Sequence, residues 1–167
     1  MAQRLNWVFE DLDDRIVHRE GRTIAEIFRE SGEPAFRSAE HVALRQVLEE
    51  SRGGTAKIIA LGGGAFVEQR NAELLKAAGV PVVFLDAPVE ELWRRCSIQA
   101  AEAGAERPLL GSRERFRELY ENRRRSYLRA SLRIETSGRT VDAVASEIAE
   151  TLSLKEIPMR REPGEPE

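Results

Sequence analysis

Asp11 and Asp13 stand two residues apart at the end of a short apolar run, Trp7-Val8-Phe9. Alternate strand positions share one face, so both carboxylates can point into a single crevice, and open α/β sheets collect their ligands at the carboxyl ends of strands. Phosphoryl transfer from ATP needs one carboxylate near the magnesium shell and another near the attacking hydroxyl. The plainer role is that Asp13 or Asp14 caps the helix that follows. Gly62-Gly63-Gly64 closes a second apolar run. Consecutive glycines let the backbone approach a ligand and offer N–H groups to an oxyanion, although such a run is also ordinary loop composition. Arg37, in Glu33-Pro34-Ala35-Phe36-Arg37, can clamp a carboxylate bidentately, with Glu40 one helical turn later to fix its rotamer. Arg107 follows Ala103-Gly104-Ala105-Glu106, a lead-in suited to a lid from which an arginine neutralises a transferring phosphoryl. Arg123-Arg124-Arg125 lies on a helical pattern whose periodicity selects none of the three.

Other reactive residue types carry less. His18 and His41 lie in helical patterns without Cys or His partners and read as surface side chains. Cys96, the single cysteine, excludes an internal disulfide and reads as a small buried hydrophobe. Trp93 reads as packing beneath the lid rather than stacking on a base. The 167 residues fit one domain with a sizeable core, at 41% hydrophobic and 33% charged. A formal charge of −3 gives no global positive field for nucleic acid or anionic lipid, while arginines crowd between Arg113 and Arg133, which suits a small anionic ligand. Neither a membrane-length apolar run nor a charged-then-apolar leader is visible, so a cytoplasmic location is expected.

Short apolar runs alternate with helical patterns, the signature of an α/β fold with a mainly parallel sheet. Strands are expected at Trp7–Asp11, Ile58–Leu61, Val82–Leu85 and Leu132–Glu135. The second and third are continuous apolar runs, as for strands buried on both faces. Helices are expected at Asp14–Glu20, Thr23–Glu30, Glu33–Glu50, Asn71–Ala78, Val89–Ala101, Arg113–Ala130 and Thr140–Leu152. The last has Val141, Val144, Ile148 and Leu152 on one face. Pro158 to Glu167 is rich in Pro, Glu and Arg and reads as disordered.

Five segments in this order resemble the shikimate kinase family: Phe9-Glu10-Asp11-Leu12-Asp13, Gly21 to Phe28, Gly32 to Arg37, Leu61 to Ala65, and Arg107-Pro108-Leu109-Leu110. The resemblance spans Met1 to Leu152. It implies a small P-loop kinase that phosphorylates shikimate to shikimate 3-phosphate with ATP and Mg2+. By this resemblance Asp13 binds the substrate hydroxyls and Asp11 organises magnesium through water. Arg37 and Arg123 hold the substrate carboxylate, and Gly63, with Gly62 and Gly64 beside it, contacts substrate through its backbone. Arg107 touches the ATP phosphates, while Arg95 and Arg139 flank the adenine.

Three departures from the family pattern stand out. Arg125 replaces a usual proline, the stretch from Arg95 to Arg107 is long, and no G-x-x-x-x-G-K-[ST] occurs. Gly53-Gly54-Thr55-Ala56-Lys57 has the wrong spacing and precedes a strand. The implied fold is therefore a three-layer parallel sheet flanked by helices but lacking its first, central strand and phosphate loop, with little activity as these residues stand. The expected organisation is one domain over 1–154, with a lid at 99–113 and a tail at 155–167, monomeric when full length, acting on a small molecule and neither nucleic acid nor membrane. Two alternatives remain: a non-catalytic binding module, or a kinase for another polyol acid such as gluconate.

Overall fold

The computed structural model describes residues 1–103 and 112–157. In chain order the elements are α1 (Ala2–Leu5), β1 (Val8–Asp11), α2 (Leu12–Glu20), α3 (Ile24–Ser51), β2 (Lys57–Ala60), α4 (Gln69–Ala77), β3 (Val83–Asp86), α5 (Val89–Ala103), α6 (Arg113–Tyr127), β4 (Leu132–Glu135) and α7 (Val141–Thr151). This is the alternation expected of an α/β protein. Where one domain was expected, the chain divides into two compact units, Met1–Ala65 with Ala145 onward, and Phe66–Val144.

In the first unit β1 and β2 pair in parallel, with Val8 opposite Lys57 and Asp11 opposite Ala60. The buried side chains include Leu12 and Ile16 of α2, Ile27, Phe36, Leu44 and Val47 of α3, and Ile148 of α7. Their spacing in α2 and α3 follows the helical repeat. Thr23 caps α3 in a reciprocal box with Glu26, and the helix kinks at Gly32, whose φ of 76° lies in the left-handed region. The two separate helices expected on either side of that glycine are thus joined end to end across the kink. Residues 155–157, expected within a disordered tail, are tied down: Trp7 Nε1 donates to the Lys155 carbonyl and Asn6 Nδ2 to that of Ile157, each at 3.0 Å. The Ile157 N–H returns a bond to the Leu5 carbonyl at 3.0 Å.

In the second unit β3 and β4 pair in parallel, Val83 opposite Leu132 and Asp86 opposite Glu135. Ala72 and Leu75 of α4, Ala87, Ile134 and Val144 are its buried apolar side chains. Trp93 meets Phe116 edge-on at 5.4 Å, joining α5 to α6.

Three expectations change. The apolar runs at β2 and β3 are not buried on both faces: β2 is half-buried throughout and Leu85 is 52% exposed. Each belongs to a two-stranded sheet and has a single ladder neighbour among the described residues. Val141 is 81% exposed because it opens α7, while Val144 and Ile148 carry the buried face. Cys96 is half-buried rather than buried. No described helix is long and apolar enough to cross a membrane.

A network of alternating charge joins both strands of the first sheet to α2 and α3. Lys57 Nζ donates to Glu10 and Glu50 at 2.9 Å each, and Arg15 bonds the same two carboxylates. The hydrogen bonds from Arg15 and Lys57 pull the Glu50 carboxyl down to about 2. At Glu10 burial works against ionisation, but the same two cations prevail and lower its pKa. A carboxyl lowered on folding adds stability above its ordinary range and loses it as pH falls toward the folded value. The thermal stability of the wild type should therefore fall steadily from pH 5 toward pH 2. Glu50→Gln should be less stable at pH 7 and should flatten that acid slope; an unchanged slope would show that the network adds nothing.

Candidate functional site

The carboxylate pair is built differently from the strand-face arrangement expected. Asp11 ends β1 with extended φ and ψ and is the N-cap of α2, its Oδ1 accepting the Asp13 N–H at 2.8 Å. Asp13 stands in the first turn of the helix, so strand alternation does not align the two. The helix start aligns them, and its unpaired N–H groups favour negative charge there. Asp11, not Asp13 or Asp14, is the capping residue.

The glycine run after β2 forms a tight turn, closed by the Ala65 N–H on the Gly62 carbonyl at 3.0 Å. At two of its glycines a neighbouring side chain lies where a Cβ would stand. A Cβ on Gly62 would stand 2.9 Å from Asp13 Oδ1, and one on Gly64 would stand 2.7 Å from Arg37 Cζ and Nη2. Real Cβ atoms do not approach that closely. Gly63, between them, is exposed. The turn thus gathers Asp13, Gly62, Gly63, Gly64 and Arg37 within the first unit, five of the residues that sequence reading singled out.

Arg37 lies on α3, one turn beyond the Gly32 kink. Its Nη1 reaches both oxygens of Glu40 at 3.1 Å, and Nε and Nη2 reach Glu33 Oε1 at 3.2 and 3.0 Å. The two pairs differ in kind. Glu40 is 1% exposed and cannot leave, whereas the Glu33 side chain is 63% exposed, where ion pairs contribute little. An incoming carboxylate can therefore replace Glu33 on the guanidinium while Glu40 holds its rotamer. Burial opposes the charge on Arg37, yet Glu40 and Glu33 raise its pKa further, so it stays cationic.

In the second unit Arg95 and Arg139 converge on the turn after β4. Arg95 donates to Thr136 Oγ1 at 2.8 Å and to the Thr136 carbonyl at 3.0 Å, and Arg139 to the Glu135 carbonyl at 3.1 Å. The structure also separates the three arginines of α6. Arg124 Nη2 turns to Asp86 Oδ2 at 3.5 Å, Arg125 is exposed and Arg123 is half-buried. Arg107 lies outside the described residues. No group of three or more His, Cys, Asp or Glu that could hold a metal occurs among the described residues. Sequence reading passed over Asp86. It ends an apolar run just before Ala87-Pro88, where an acidic residue looks like a helix cap, and only the fold brings Arg133 and Tyr120 to it.

The family profile of shikimate kinase matches residues 1–153. The chain is 42% identical to the shikimate kinase of Streptomyces avermitilis over 159 residues, covering 93% of this chain and 86% of that protein. It is also 42% identical to that of Geobacter metallireducens over 151 residues, 89% and 79% of the two chains. Among solved structures, the Acinetobacter baumannii shikimate kinase in complex with shikimate is 33% identical and superposes with a TM-score of 0.75, covering 91% of this chain and 82% of that one. The Bacteroides thetaiotaomicron shikimate kinase is 29% identical with a TM-score of 0.78, covering 92% and 88%. These likenesses run through the glycine turn and the helices that carry Asp13 and Arg37, and the chain belongs to the shikimate kinase family.

Proposed function

We propose that this protein is a shikimate kinase, transferring the γ-phosphoryl group of ATP to the 3-hydroxyl of shikimate, and that its first unit supplies acid recognition. The observation that carries this reading is the pair of glycines whose missing side chains leave room for Asp13 and Arg37. Arg37, fixed by buried Glu40, takes the substrate carboxylate in place of Glu33. Asp13 orients the 3-hydroxyl and would accept its proton as the new bond from that oxygen to the γ-phosphorus forms and the bond from the γ-phosphorus to the departing ADP breaks. A backbone contact from exposed Gly63 completes the acid site. Most of the rate enhancement in such a reaction comes from positioning and electrostatics rather than covalent chemistry.

Arg123 is assigned to the carboxylate, and Arg107 to the ATP phosphates, on family resemblance. Arg95 and Arg139 are assigned to the adenine on the same ground, supported by their convergence on one turn. Asp11, with one carboxylate oxygen held in the helix cap, suits a water-mediated hold on magnesium rather than direct ligation, which calls for several oxygen ligands. The described donors do not fit the polyphosphate, because the sequence carries no G-x-x-x-x-G-K-[ST] and Lys57 is spent on Glu10 and Glu50. Bound ATP with magnesium would supply the phosphoryl group, while the residues named here hold and deprotonate the acceptor.

Direct binding is the sharpest test of acid recognition. Titration calorimetry should give heat with shikimate and none with gluconate; the reverse pattern would make this a kinase for another polyol acid. Arg37→Ala should weaken shikimate by about 2–5 kcal/mol, since the carboxylate then loses its buried cation. Unchanged affinity would remove Arg37 from the site.

Gly64→Ala tests the same position from the backbone side. The new methyl group overlaps the Arg37 guanidinium, whose movement would weaken its pair with buried Glu40. Shikimate affinity should therefore drop about tenfold or more, and the unfolding temperature should fall with it. A variant that binds shikimate normally would show that the Arg37 position is not used.

A further inference from the structure

Three contacts hold the Arg37 guanidinium in place. Its Nη1 reaches both oxygens of buried Glu40 at 3.1 Å. It lies against the backbone of Gly64, where a Cβ would stand 2.7 Å from Cζ, and its Cζ is 5.1 Å from the centre of the Phe36 ring. The remaining edge runs from Nε to Nη2. Glu33 covers it with a single oxygen, Oε1, at 3.2 and 3.0 Å.

A guanidinium offers a carboxylate two forks, one across Nε and Nη2 and one across Nη1 and Nη2. Glu40 already engages Nη1, so the Nε–Nη2 fork is the one complete edge left for a two-oxygen clamp. Two carboxylates on that edge would repel each other, so one must leave. Arg37 is pinned, and Glu33 is the member that moves. Its side chain is 63% exposed. It directly follows Gly32, whose left-handed φ breaks the helix, and so stands in the first turn of the segment that resumes there. The open N–H groups of a first turn favour a carboxylate even after it has let go of Arg37. The exchange also improves geometry. An incoming carboxylate gives each N–H its own oxygen, whereas Glu33 offers one oxygen to two.

We propose that Glu33 is a tethered competitor that sets the affinity of the acid site: in the empty protein its carboxylate occupies the fork of Arg37 that the substrate carboxylate must take. Binding is then an exchange of one carboxylate for another. This rests on the assignment of Arg37 to the substrate carboxylate. An exposed helical pair of this spacing is closed roughly two-thirds of the time, which leaves the fork open for about a third. The affinity of every ligand that needs the fork is lowered by that fraction, about threefold.

Shikimate calorimetry on the full chain tests the exchange. Glu33→Ala removes the competitor from an exposed position and should tighten shikimate about threefold, with unfolding still cooperative. Glu30→Ala is the control. It removes the same charge three residues earlier, from a carboxylate that pairs with Arg22 and Arg29 rather than Arg37, and should leave shikimate affinity at the wild-type value. Unchanged or weaker binding in Glu33→Ala, beside a loss in Arg37→Ala, would overturn the competitor role while leaving the Arg37 assignment standing. Equal tightening in Glu30→Ala would also overturn it, by reducing the effect to general charge. Wild-type affinity in Arg37→Ala would overturn the Arg37 assignment and the exchange with it.

Discussion

The contact between the Arg37 guanidinium and the backbone at Gly64 constrains more of the first unit than any other. A cation there must be half-buried to be rigid, and burial demands a partner, which Glu40 provides from one turn further along α3. The plane of the guanidinium then lies where a side chain on Gly64 would otherwise project. That fixes the distance between α3 and the turn after β2. The same turn fixes the start of α2, because Gly62 leaves space for Asp13. Two helices and one strand end are thus referenced to three consecutive glycines. The geometry of the acid site follows from backbone approach rather than from side-chain packing.

Electrostatic design differs between the two units. In the first, Glu10, Arg15, Glu50 and Lys57 alternate in sign across the sheet, half-buried except for the more exposed Glu50, with several pairs sharing the load. In the second, one buried carboxylate at a strand end gathers a phenol and two guanidinium groups. Shared networks degrade gradually when one member is lost. A buried node fails abruptly, since its remaining partners keep an uncompensated charge.

Much of this was legible in the residues. The order of strands and helices follows from apolar runs alternating with 3.6-residue periodicity, and Leu132–Glu135 was bounded correctly because Ser131 and Thr136 flank it. Arg37 with Glu40 was recognisable because their spacing is local, and the glycine run by its composition, whereas its approach to Asp13, far away in sequence, was not. Long-range pairings were not. Nothing near Asp86 announces Arg133 or Tyr120, and Ile58–Leu61 looks fully buried although a two-stranded sheet leaves it half-covered. Asp11 and Asp13 resembled a strand-face pair because helix starts and strand ends share the same short polar residues. Only backbone dihedrals distinguish a cap from a continuing strand.

The clasp between Asn6, Trp7 and the segment Lys155–Ile157 bears on how the protein is made. The unit that holds Arg37 and Asp13 is discontinuous in sequence, its parts separated by Phe66–Val144. Emerging from the ribosome, residues 1–65 cannot complete their core until Ile148 and the closing segment have been synthesised. The intervening stretch is contiguous and meets no such delay. Contacts that span nearly the whole chain also carry a large loop-closure entropy and form late. Assembly of the acid site is therefore expected to be among the last events of folding, and shortening the carboxyl end before Ile157 would leave the amino-terminal helix unfastened.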